Sequence, residues 1–343
     1  MEKQYKSAYV LGKFMPFHYG HKYLIDTAIE NSEKVTVVVG SIPMEPIPGA
    51  LRFKWVTEQY RTHPNVTVVH CDEDLPQYPE EHEDFWNIWV DVVKRYCPAD
   101  IDVIFTSETY GDPYAEHLGI KHHMVDLERH TFNISGTEVR ANPISNWFMI
   151  PDHVKPYFVK RVAIMGSESC GKSTLTKNLA NYYRTNYVEE YGRTVYEDNG
   201  NYVSVMDFAH ILAGRQIIED AMIKQSNKLL FCDTEDLTTC LFLDMYYPDG
   251  KNQDAAKATV KEFLWASLDQ KKQYDLYILL KPDCEAVQDG TRNYLDERWA
   301  HYNNIKSHLI DRGCEFIEVG GTWEERFNAA RDEVKNKLVK KFV

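Results

Sequence analysis

The sequence lacks the features of several large classes of protein. No apolar run approaches the roughly 20 residues that span a membrane, and Met1–Lys6 is not followed by the apolar core of a secretion signal. The seven cysteines form no Cys-x-x-Cys pair, so neither a zinc site nor a disulfide framework is indicated. We therefore expect a cytoplasmic protein with reduced thiols and no membrane span.

The charge balance disfavours a further class, the proteins that bind nucleic acid. The formal net charge is −13 over 343 residues, with acidic and basic residues interspersed. An acidic surface repels phosphate backbones and anionic membranes, although a local basic pocket is still allowed. We therefore expect small-molecule partners and no nucleic acid. The length is sufficient for two domains, and the sequence does not settle whether the chain forms a homo-oligomer.

Short β-rich runs alternate with amphipathic stretches along the whole chain. This alternation predicts an α/β fold in which each domain is a mainly parallel sheet with helices on both faces. Pro151 and Pro156, followed by an apolar strand, predict a boundary between domains at residues 1–154 and 155–343. Strands are predicted at residues 8–12, 35–40, 66–70, 103–106, 122–125, 159–165, 186–188, 229–233, 276–280 and 315–319, and helices at residues 21–31, 52–61, 81–96, 113–118, 172–183, 206–227, 254–269 and 324–339.

The first predicted strand leads into a segment rich in glycine and histidine, Gly12–His21. A loop between a strand and the start of a helix directs free backbone N–H groups and the helix dipole at an anion. His18 and His21 are three residues apart at the helix start, so both can face one phosphate and stabilise its growing charge. The alternative is a pair of surface or capping histidines.

A second segment, residues 134–140, adds groups that suit a nucleoside triphosphate. Ser135 and Thr137 supply hydroxyls and Arg140 supplies a forked cation at another helix start. These groups suit the β- and γ-phosphates of ATP. Taken alone, the segment could be merely a helix cap.

A third segment, Gly166–Thr174, matches the P-loop pattern GxxxxGK[ST] between a strand and a helix. Lys172 would reach the β- and γ-phosphates of ATP, and Ser173 would bind Mg²⁺. Asp233 ends an apolar strand and is a second candidate Mg²⁺ ligand, although an aspartate there is also a common turn residue. The residues predicted to bind ATP here are Gly166, Ser169, Gly171, Lys172, Ser173, Thr174, Arg292 and Arg298.

Together these motifs resemble the HxGH nucleotidyltransferases and, across residues 7–335, the NadR-type bifunctional proteins. The segments 105–111 and 126–129 also match the transferase half of that family. The resemblance implies that the N-terminal domain adenylylates nicotinamide mononucleotide (NMN) with ATP, and that the C-terminal domain phosphorylates ribosylnicotinamide. Both reactions would use ATP as co-substrate with Mg²⁺. No helix-turn-helix segment precedes the first strand, so we expect no DNA binding.

The resemblance also assigns residue roles. His18, His21 and Arg140 would be catalytic in the transferase, and Lys172 and Glu190 would be catalytic in the kinase. Glu189 is the alternate acid. The alternative is that Glu189 and Glu190 are only a solvated charge pair at a helix start. Trp86 would stack on the nicotinamide ring, although Trp86, Trp55 and Trp89 at helical spacing also suit core packing. Lys13 and Arg52 are weaker candidates for neutralising charge. In the transferase, the ATP-binding residues would be Gly12, Lys13, Phe14, Ser135, Thr137 and Arg140, and the NMN-binding residues Trp86 and Arg52.

The chain departs from the family pattern ahead of residues 289–298, the expected lid of the kinase. Ala286 stands where an aromatic side chain would stack on nicotinamide, so Tyr294 or Tyr302 would have to replace it. Alternatively, the kinase accepts another nucleoside or is weak. A different class of function is a sensor that binds ATP and NAD with little turnover. The sequence leaves open whether the transferase takes the amide or the acid form of the mononucleotide.

Overall fold

The computed structural model describes residues 3–98, 100–248, 255–288 and 295–339. The chain divides into two compact units, Met1–Lys155 and Pro156–Val343. Each unit contains one five-stranded parallel sheet. The predicted α/β class, with parallel sheets and helices on both faces, is therefore confirmed.

The sheet of the N-terminal unit has the strand order β3-β2-β1-β4-β5. Its central strand is apolar and pairs on both sides, with Val10 opposite Val37 and Phe105. The elements of this unit are β1 (Tyr5–Gly12), α1 (Tyr19–Asn31), β2 (Ser32–Gly40), α2 (Gly49–Tyr60), β3 (Val66–Cys71), α3 (Phe85–Tyr96), β4 (Val103–Thr106), α4 (Gly111–Leu118), β5 (Lys121–Met124) and α5 (Gly136–Ala141).

The sheet of the C-terminal unit has the order β10-β9-β6-β8-β7. Four of its strands contribute to one buried cluster with helices α6 and α12. The elements are β6 (Lys160–Gly166), α6 (Lys172–Tyr183), β7 (Tyr187–Val188), α7 (Tyr191–Asp198), α8 (Val205–Ile223), β8 (Leu229–Asp233), α9 (Asp236–Tyr246), α10 (Ala255–Gln270), β9 (Leu276–Leu280), α11 (Arg298–Asp311), β10 (Phe316–Val319) and α12 (Trp323–Val334).

Both sheets change direction of winding at their central strand. β1 lies between β2 and β4, and β6 lies between β8 and β9. At such a switch point the connections leave on opposite faces and open a crevice at the carboxyl ends of the strands. Gly12 ends β1 and Gly166 ends β6, so the fold places both predicted phosphate-binding motifs at a crevice of this kind.

The structure differs from the sequence-based prediction mainly in its helices. The helix predicted at residues 81–96 begins only at Phe85, after a short 3₁₀ turn at Pro79–Glu81. Helices α7, α9 and α11 were not predicted. α11 buries Arg298, His301 and Tyr302 among its apolar residues, and buried polar residues hide the apolar periodicity that indicates a helix. Within the described ranges, none of the helices combines the length and apolarity needed to cross a lipid bilayer.

Candidate active sites

The turn between β1 and α1 is shaped by two phenylalanines. A Cβ atom on Gly12 would lie 2.9 Å from the ring of Phe14, so only glycine lets that ring fold back over the strand end. Phe14 and Phe17 are buried, and both rings lie against His21, with centroids 5.1 and 6.2 Å away. The apolar residues of the motif therefore hold His21 in place.

His18 is the N-cap of α1, and this position determines its tautomer. Its Nδ1 accepts a hydrogen bond from the backbone N–H of His21 at 3.4 Å, so the proton of the neutral ring resides on Nε2. That Nε2 is buried and has no hydrogen-bond partner among the described residues. Burial, with the charge of Arg129, lowers the pKa of His18 to about 3. The site therefore presents a neutral N–H donor with no protein acceptor.

His21 stacks on His18 with ring centroids 3.7 Å apart. Burial and the neighbouring His18 lower its pKa well below the ordinary value. Its Nδ1 is also buried and without a partner in the described ranges. Two stacked, neutral imidazoles at one helix start can contact a phosphate chain without the repulsion that two positive charges would cause.

The segment 134–140 docks against this histidine turn. Ser135 is the N-cap of α5 and forms a capping box with Glu138. The guanidinium of Arg140 donates to the carbonyl of Met15 and, at 3.1 Å, to the hydroxyl of Thr137. The structure thus brings Ser135, Thr137 and Arg140 next to the turn that carries His18 and His21.

Arg129 belongs to the segment 126–129, which the family resemblance places along the nucleotide site, although sequence reasoning gave it no individual function. Its charge lowers the pKa of both His18 and His21. Asp126 shapes the loop that carries it, because its carboxylate accepts backbone N–H groups of His130 at 2.7 Å and Thr131 at 3.0 Å. The match of residues 126–129 to the family pattern was the signal that could have identified it.

Arg52 and Lys13 lie at the back of the same turn. Arg52 is 0% exposed and donates to the carbonyls of Lys13 at 2.6 Å, Gly40 at 3.1 Å and Ile47 at 3.0 Å. It also pairs with Glu45, which accepts from Lys13 at 3.0 Å. Arg52 therefore ties the turn to the loop after β2, and its contact with NMN stays a prediction.

The three tryptophans considered as NMN contacts, Trp55, Trp86 and Trp89, differ in their surroundings. Trp55 is buried, and Trp89 donates its indole N–H to the carbonyl of Pro76 at 3.0 Å. Trp86 is half-buried and stacks on His117, with centroids 5.1 Å apart. Of the three, Trp86 keeps its role as a proposed ligand contact.

The P-loop of the C-terminal unit depends on its two glycines. Gly166 has φ +151° and Gly171 has φ +87°, and a Cβ atom on Gly166 would lie 2.7 Å from the sulfur of Cys170. Ser169 also adopts a positive φ of 55°. Lys172 is buried and donates to the carbonyl of Ser167 at 2.9 Å. The loop thus has the close backbone turn that a phosphate cradle requires.

A cavity of about 280 Å³ opens in front of the P-loop. Its lining combines polar side chains, among them Lys172, Ser173, Glu190 and Arg193, with aromatic ones. The aromatic lining residues, here called the aromatic wall, are Tyr196, Phe208, Phe242 and Tyr246. Such a combination suits a nucleoside, which has both an aromatic ring and hydroxyl groups. Sequence reasoning missed this wall because its residues come from three helices, two of them not predicted.

Asp233 faces the P-loop from the end of β8. Burial, with the nearby carboxylate of Glu190, raises the pKa of Asp233 to about 6, and its side chain hydrogen-bonds Ser173. Its Oδ1 is buried and unpartnered within the part of the chain that the structure describes. These oxygens suit a hard divalent cation that keeps phosphate and water as its other ligands. No cluster of three or more potential protein ligands occurs among the described residues.

The structure distinguishes the two candidate acids and the lid arginines. Glu190 lines the cavity, whereas Glu189 is 66% exposed and pairs with Lys177 at 2.9 Å. Arg298 donates to the P-loop carbonyls of Glu168 at 3.0 Å and Ser169 at 3.1 Å. In this conformation it supports the backbone of the loop, and its contact with the phosphates stays a prediction.

The residues expected to contact the nucleoside in and around the predicted lid fall into two groups, those outside the described residues and those within them. Asp289, Arg292 and Tyr294 lie outside the described residues. Tyr302 is 3% exposed, and its hydroxyl donates to Glu318, so no free ring face is offered to a nucleoside. Ala286 is exposed and is not part of the cavity lining.

His301, one turn after Arg298 on α11, is another residue missed by sequence reasoning. It is 4% exposed, and both ring nitrogens lack a partner among the described residues. Burial, with the charge of Lys172, lowers its pKa to about 4. Its ring meets the edge of Phe242 at 5.0 Å, directly behind the aromatic wall.

Comparisons with known proteins agree with this two-site arrangement. Residues 7–134 match the model of the citrate lyase ligase C-terminal domain, and residues 161–326 match the AAA domain model. The trifunctional NAD biosynthesis/regulator proteins NadR of Escherichia coli K12 and Salmonella typhimurium LT2 are each 32% identical to this chain, over 90% of it and 78% of their own length. Crystal structures of NadR protein in complex with NR and with NAD and AMP-PNP share this fold, with a TM-score of 0.80, 20% and 21% identity and 98% coverage of both chains.

Proposed function

This chain belongs to the NadR family, and from that premise we propose how its two sites divide the chemistry. The protein is a bifunctional enzyme of NAD salvage, a nicotinamide-nucleotide adenylyltransferase and a ribosylnicotinamide kinase. It phosphorylates ribosylnicotinamide to NMN and transfers the adenylyl group of ATP to NMN, releasing NAD and pyrophosphate. We assign the transfer to the N-terminal unit and the phosphorylation to the C-terminal unit.

In the proposed transferase site, a phosphate oxygen of NMN attacks the α-phosphorus of ATP. The new bond joins that oxygen to the α-phosphorus, and the bond to the β-phosphate oxygen breaks. The attacking phosphate is already an anion, so no general base is needed, and catalysis consists of positioning and charge stabilisation. Ser135, Thr137 and Arg140 would hold the β- and γ-phosphates, which leave as pyrophosphate.

The observation that carries this proposal is the unpartnered Nε2–H of His18. A buried donor without an acceptor costs free energy of about 1–3 kcal/mol. A phosphoryl oxygen that gains charge in the transition state would supply the acceptor, so the cost becomes transition-state stabilisation.

In the proposed kinase site, the 5′-hydroxyl of the nucleoside attacks the γ-phosphorus of ATP and ADP leaves. Glu190 lines the cavity and would accept the hydroxyl proton. Lys172 would leave the carbonyl of Ser167 to contact the β- and γ-phosphates. We propose Mg²⁺ as the cation held near Ser173 and Asp233; when bound, it would neutralise phosphate charge.

The proposed acceptor remains ribosylnicotinamide despite Ala286. The aromatic wall from α7, α8 and α9 already offers ring faces inside the cavity, whereas Ala286 lies outside its lining. The second candidate, a kinase for another nucleoside, rests on the departure at Ala286 alone. Competition between ribosylnicotinamide and other nucleosides for ADP formation distinguishes the two. All seven cysteines are free thiols, which supports the cytoplasm as the proposed compartment.

The decisive experiment incubates the purified protein with ribosylnicotinamide and Mg-ATP and separates NMN, NAD, ADP and pyrophosphate by chromatography. We expect NAD from the wild type. His18→Ala should reduce NAD formation about 100-fold or more while ADP formation continues. Lys172→Ala should abolish ADP formation yet still make NAD from added NMN.

His82→Ala is the matched control, because His82 is an exposed histidine of the same unit and should leave both reactions unchanged. A wild-type protein that makes NAD from NMN and ATP but not from ribosylnicotinamide and ATP would retain the transferase assignment and overturn the kinase assignment. If neither ribosylnicotinamide nor NMN gave any product while ATP still bound normally, the result would favour the sensor instead.

A further inference from the structure

Trp323, the first residue of α12, lies directly on the P-loop. A Cβ atom added to Gly171 would lie 2.2 Å from Cζ3 and 2.6 Å from Cη2 of the indole. The ring edge is therefore in contact with the backbone at Gly171, the N-cap of α6 and the residue before Lys172. No sequence motif indicated this contact, since the two residues belong to opposite ends of the unit.

The indole is held firmly on one side. The guanidinium of Arg326 lies 5.3 Å from its ring centroid. Arg326 is 1% exposed and donates to the carbonyls of Cys170 at 2.9 Å, Gly321 at 2.8 Å and Lys281 at 3.1 Å. Thr322 and Glu325 form a capping box that sets the start of α12. Backbone and side-chain contacts thus determine the position of the ring.

The rest of the ring is left in solvent. Trp323 is 57% exposed, although a large apolar ring gains most free energy when it is covered. An exposed indole with a fixed orientation beside a phosphate-binding loop has the form of a stacking platform, because a flat aromatic ligand can cover it without reorganisation.

The P-loop determines which ligand can reach this ring. Backbone N–H groups of the loop and Lys172 hold the phosphates of a nucleoside triphosphate, and the base is the one aromatic part of that molecule. Base stacking on an aromatic side chain contributes about 1–3 kcal/mol and does not need hydrogen bonds to the base edge. We propose that Trp323 is the platform on which the purine base of ATP stacks in the kinase site. This proposal rests on the proposed kinase function.

The competing explanation is that Trp323 merely supports the P-loop. Both explanations need the contact with Gly171, but only stacking needs the exposed part of the ring. They differ in whether the effect of removing the indole depends on the presence of a base in the ligand. An inhibitor with phosphates and no base therefore separates them.

The test measures ADP formation by the full chain with ribosylnicotinamide, because the transferase reaction releases pyrophosphate and not ADP. Trp323→Ala should raise the KM for ATP about ten-fold, in keeping with the loss of one stacked base, with kcat and the KM for ribosylnicotinamide changed less than two-fold. The inhibition constant of inorganic tripolyphosphate should stay unchanged. Trp323→Phe, which keeps a ring, should give a smaller rise in KM than Trp323→Ala.

Trp299→Phe is the matched control, since Trp299 is 51% exposed in the same unit and packs against Tyr302. It should leave the KM for ATP unchanged. An equal rise in the KM for ATP and in the inhibition constant of tripolyphosphate would overturn stacking in favour of loop support. An unchanged KM in Trp323→Ala would also overturn it.

A wild-type protein that forms no ADP would count against the proposed kinase and not against stacking. Stacking is then measured by the quenching of tryptophan fluorescence by Mg-AMP-PNP in the wild type and in Trp323→Phe. Stacking requires quenching that is lost with Trp323, whereas equal quenching in both proteins overturns it. Subtracting the quenching in Trp323→Phe from that in the wild type removes any contribution from ligand bound at the N-terminal site.

Discussion

At the scale of single residues, the proposed transferase site contains histidines that are kept neutral. His18 is 4% exposed, and burial together with Arg129 lowers its pKa to about 3. The unfolded chain would bind a proton at this ring below a pH of about 6.5, whereas the folded chain does not until near pH 3. The stability that the neutral ring provides is therefore present above pH 6.5 and lost progressively as the pH falls toward 3.

The lowered pKa of His18 leads to a prediction. We expect its ring protons, observed by NMR on histidine-labelled protein, to show no titration between pH 8 and pH 5, because protonation would place an unpaired charge beside Arg129. His18→Asn identifies the signal. The same substitution should lessen the loss of unfolding free energy between pH 7.5 and pH 5.5 by about 1.4 kcal/mol. A His18 ring that titrates near pH 6.5 would contradict the buried, neutral state.

The C-terminal unit buries charged side chains and pairs them with one another. Arg215 lines the cavity and donates to Asp236 and, at 3.0 Å, to both Glu219 and Tyr274. Burial alone would raise the pKa of Glu219, but Arg215 and Lys271 hold it at about 2. Because Arg215 donates hydrogen bonds to Asp236, Glu219 and Tyr274, this network holds the Arg215 side chain in one position in the cavity lining.

At the scale of elements, both sites use the same arrangement of a central strand, a tight turn and a helix start. The strand end at Gly12 or Gly166 lies at the switch point of its sheet, and a helix, α1 or α6, begins a few residues later. Most of the other residues that line the proposed kinase cavity belong to helices α7, α8 and α9, of which α8 is the longest. The cavity therefore depends on how stably α8 begins.

The start of α8 provides a prediction at this scale. Ser204 accepts the N–H of Asp207 at 3.3 Å, and the Asp207 carboxylate accepts the N–H of Ser204 at 2.7 Å. Ser204→Ala should lower the free energy of unfolding of the C-terminal unit by about 1 kcal/mol. Urea denaturation, monitored by the loss of ADP-forming activity, measures this change in the free energy of unfolding.

Ser204→Asp is the control, because aspartate is an equally good N-cap. It should retain most of the stability lost in Ser204→Ala. The capping role would be wrong if both variants lost the same free energy, since their difference is only the capping acceptor. NAD formation from NMN should be unaffected in either variant.

At the scale of the whole molecule, each unit has its own complete sheet and its own buried cluster of apolar residues. The hydrogen bonds of each sheet are contained within one unit. A unit with a core of this kind meets the physical requirement for independent folding. The lengths of the two units are also within the usual range for single domains.

We therefore predict that residues 1–155 and 156–343, expressed separately, each fold. The first fragment should make NAD from NMN and ATP, and the second should form ADP with ribosylnicotinamide. Circular dichroism during thermal unfolding should show one cooperative transition for each fragment. His18→Ala in the first fragment is the activity control. A fragment that remains unfolded would show that its core needs the other half of the chain.

The sequence by itself determined the fold class, the family and the two phosphate-binding motifs. Strands at residues 103–106, 229–233 and 276–280 and the helix at 172–183 agree with the structure to the residue. They were predictable because a buried parallel strand is a short, uninterrupted apolar run. The P-loop was predictable because its glycines and lysine are adjacent in the chain.

Only the tertiary structure decided which side chains meet. Glu190 lines the cavity while Glu189 pairs with Lys177, although the two are neighbours in sequence. The structure also decided that Arg298 donates to the P-loop backbone and that Trp323 lies on Gly171. Periodicity and propensity depend on residues close in sequence, whereas these contacts join distant segments and are set by how the helices pack on the sheet.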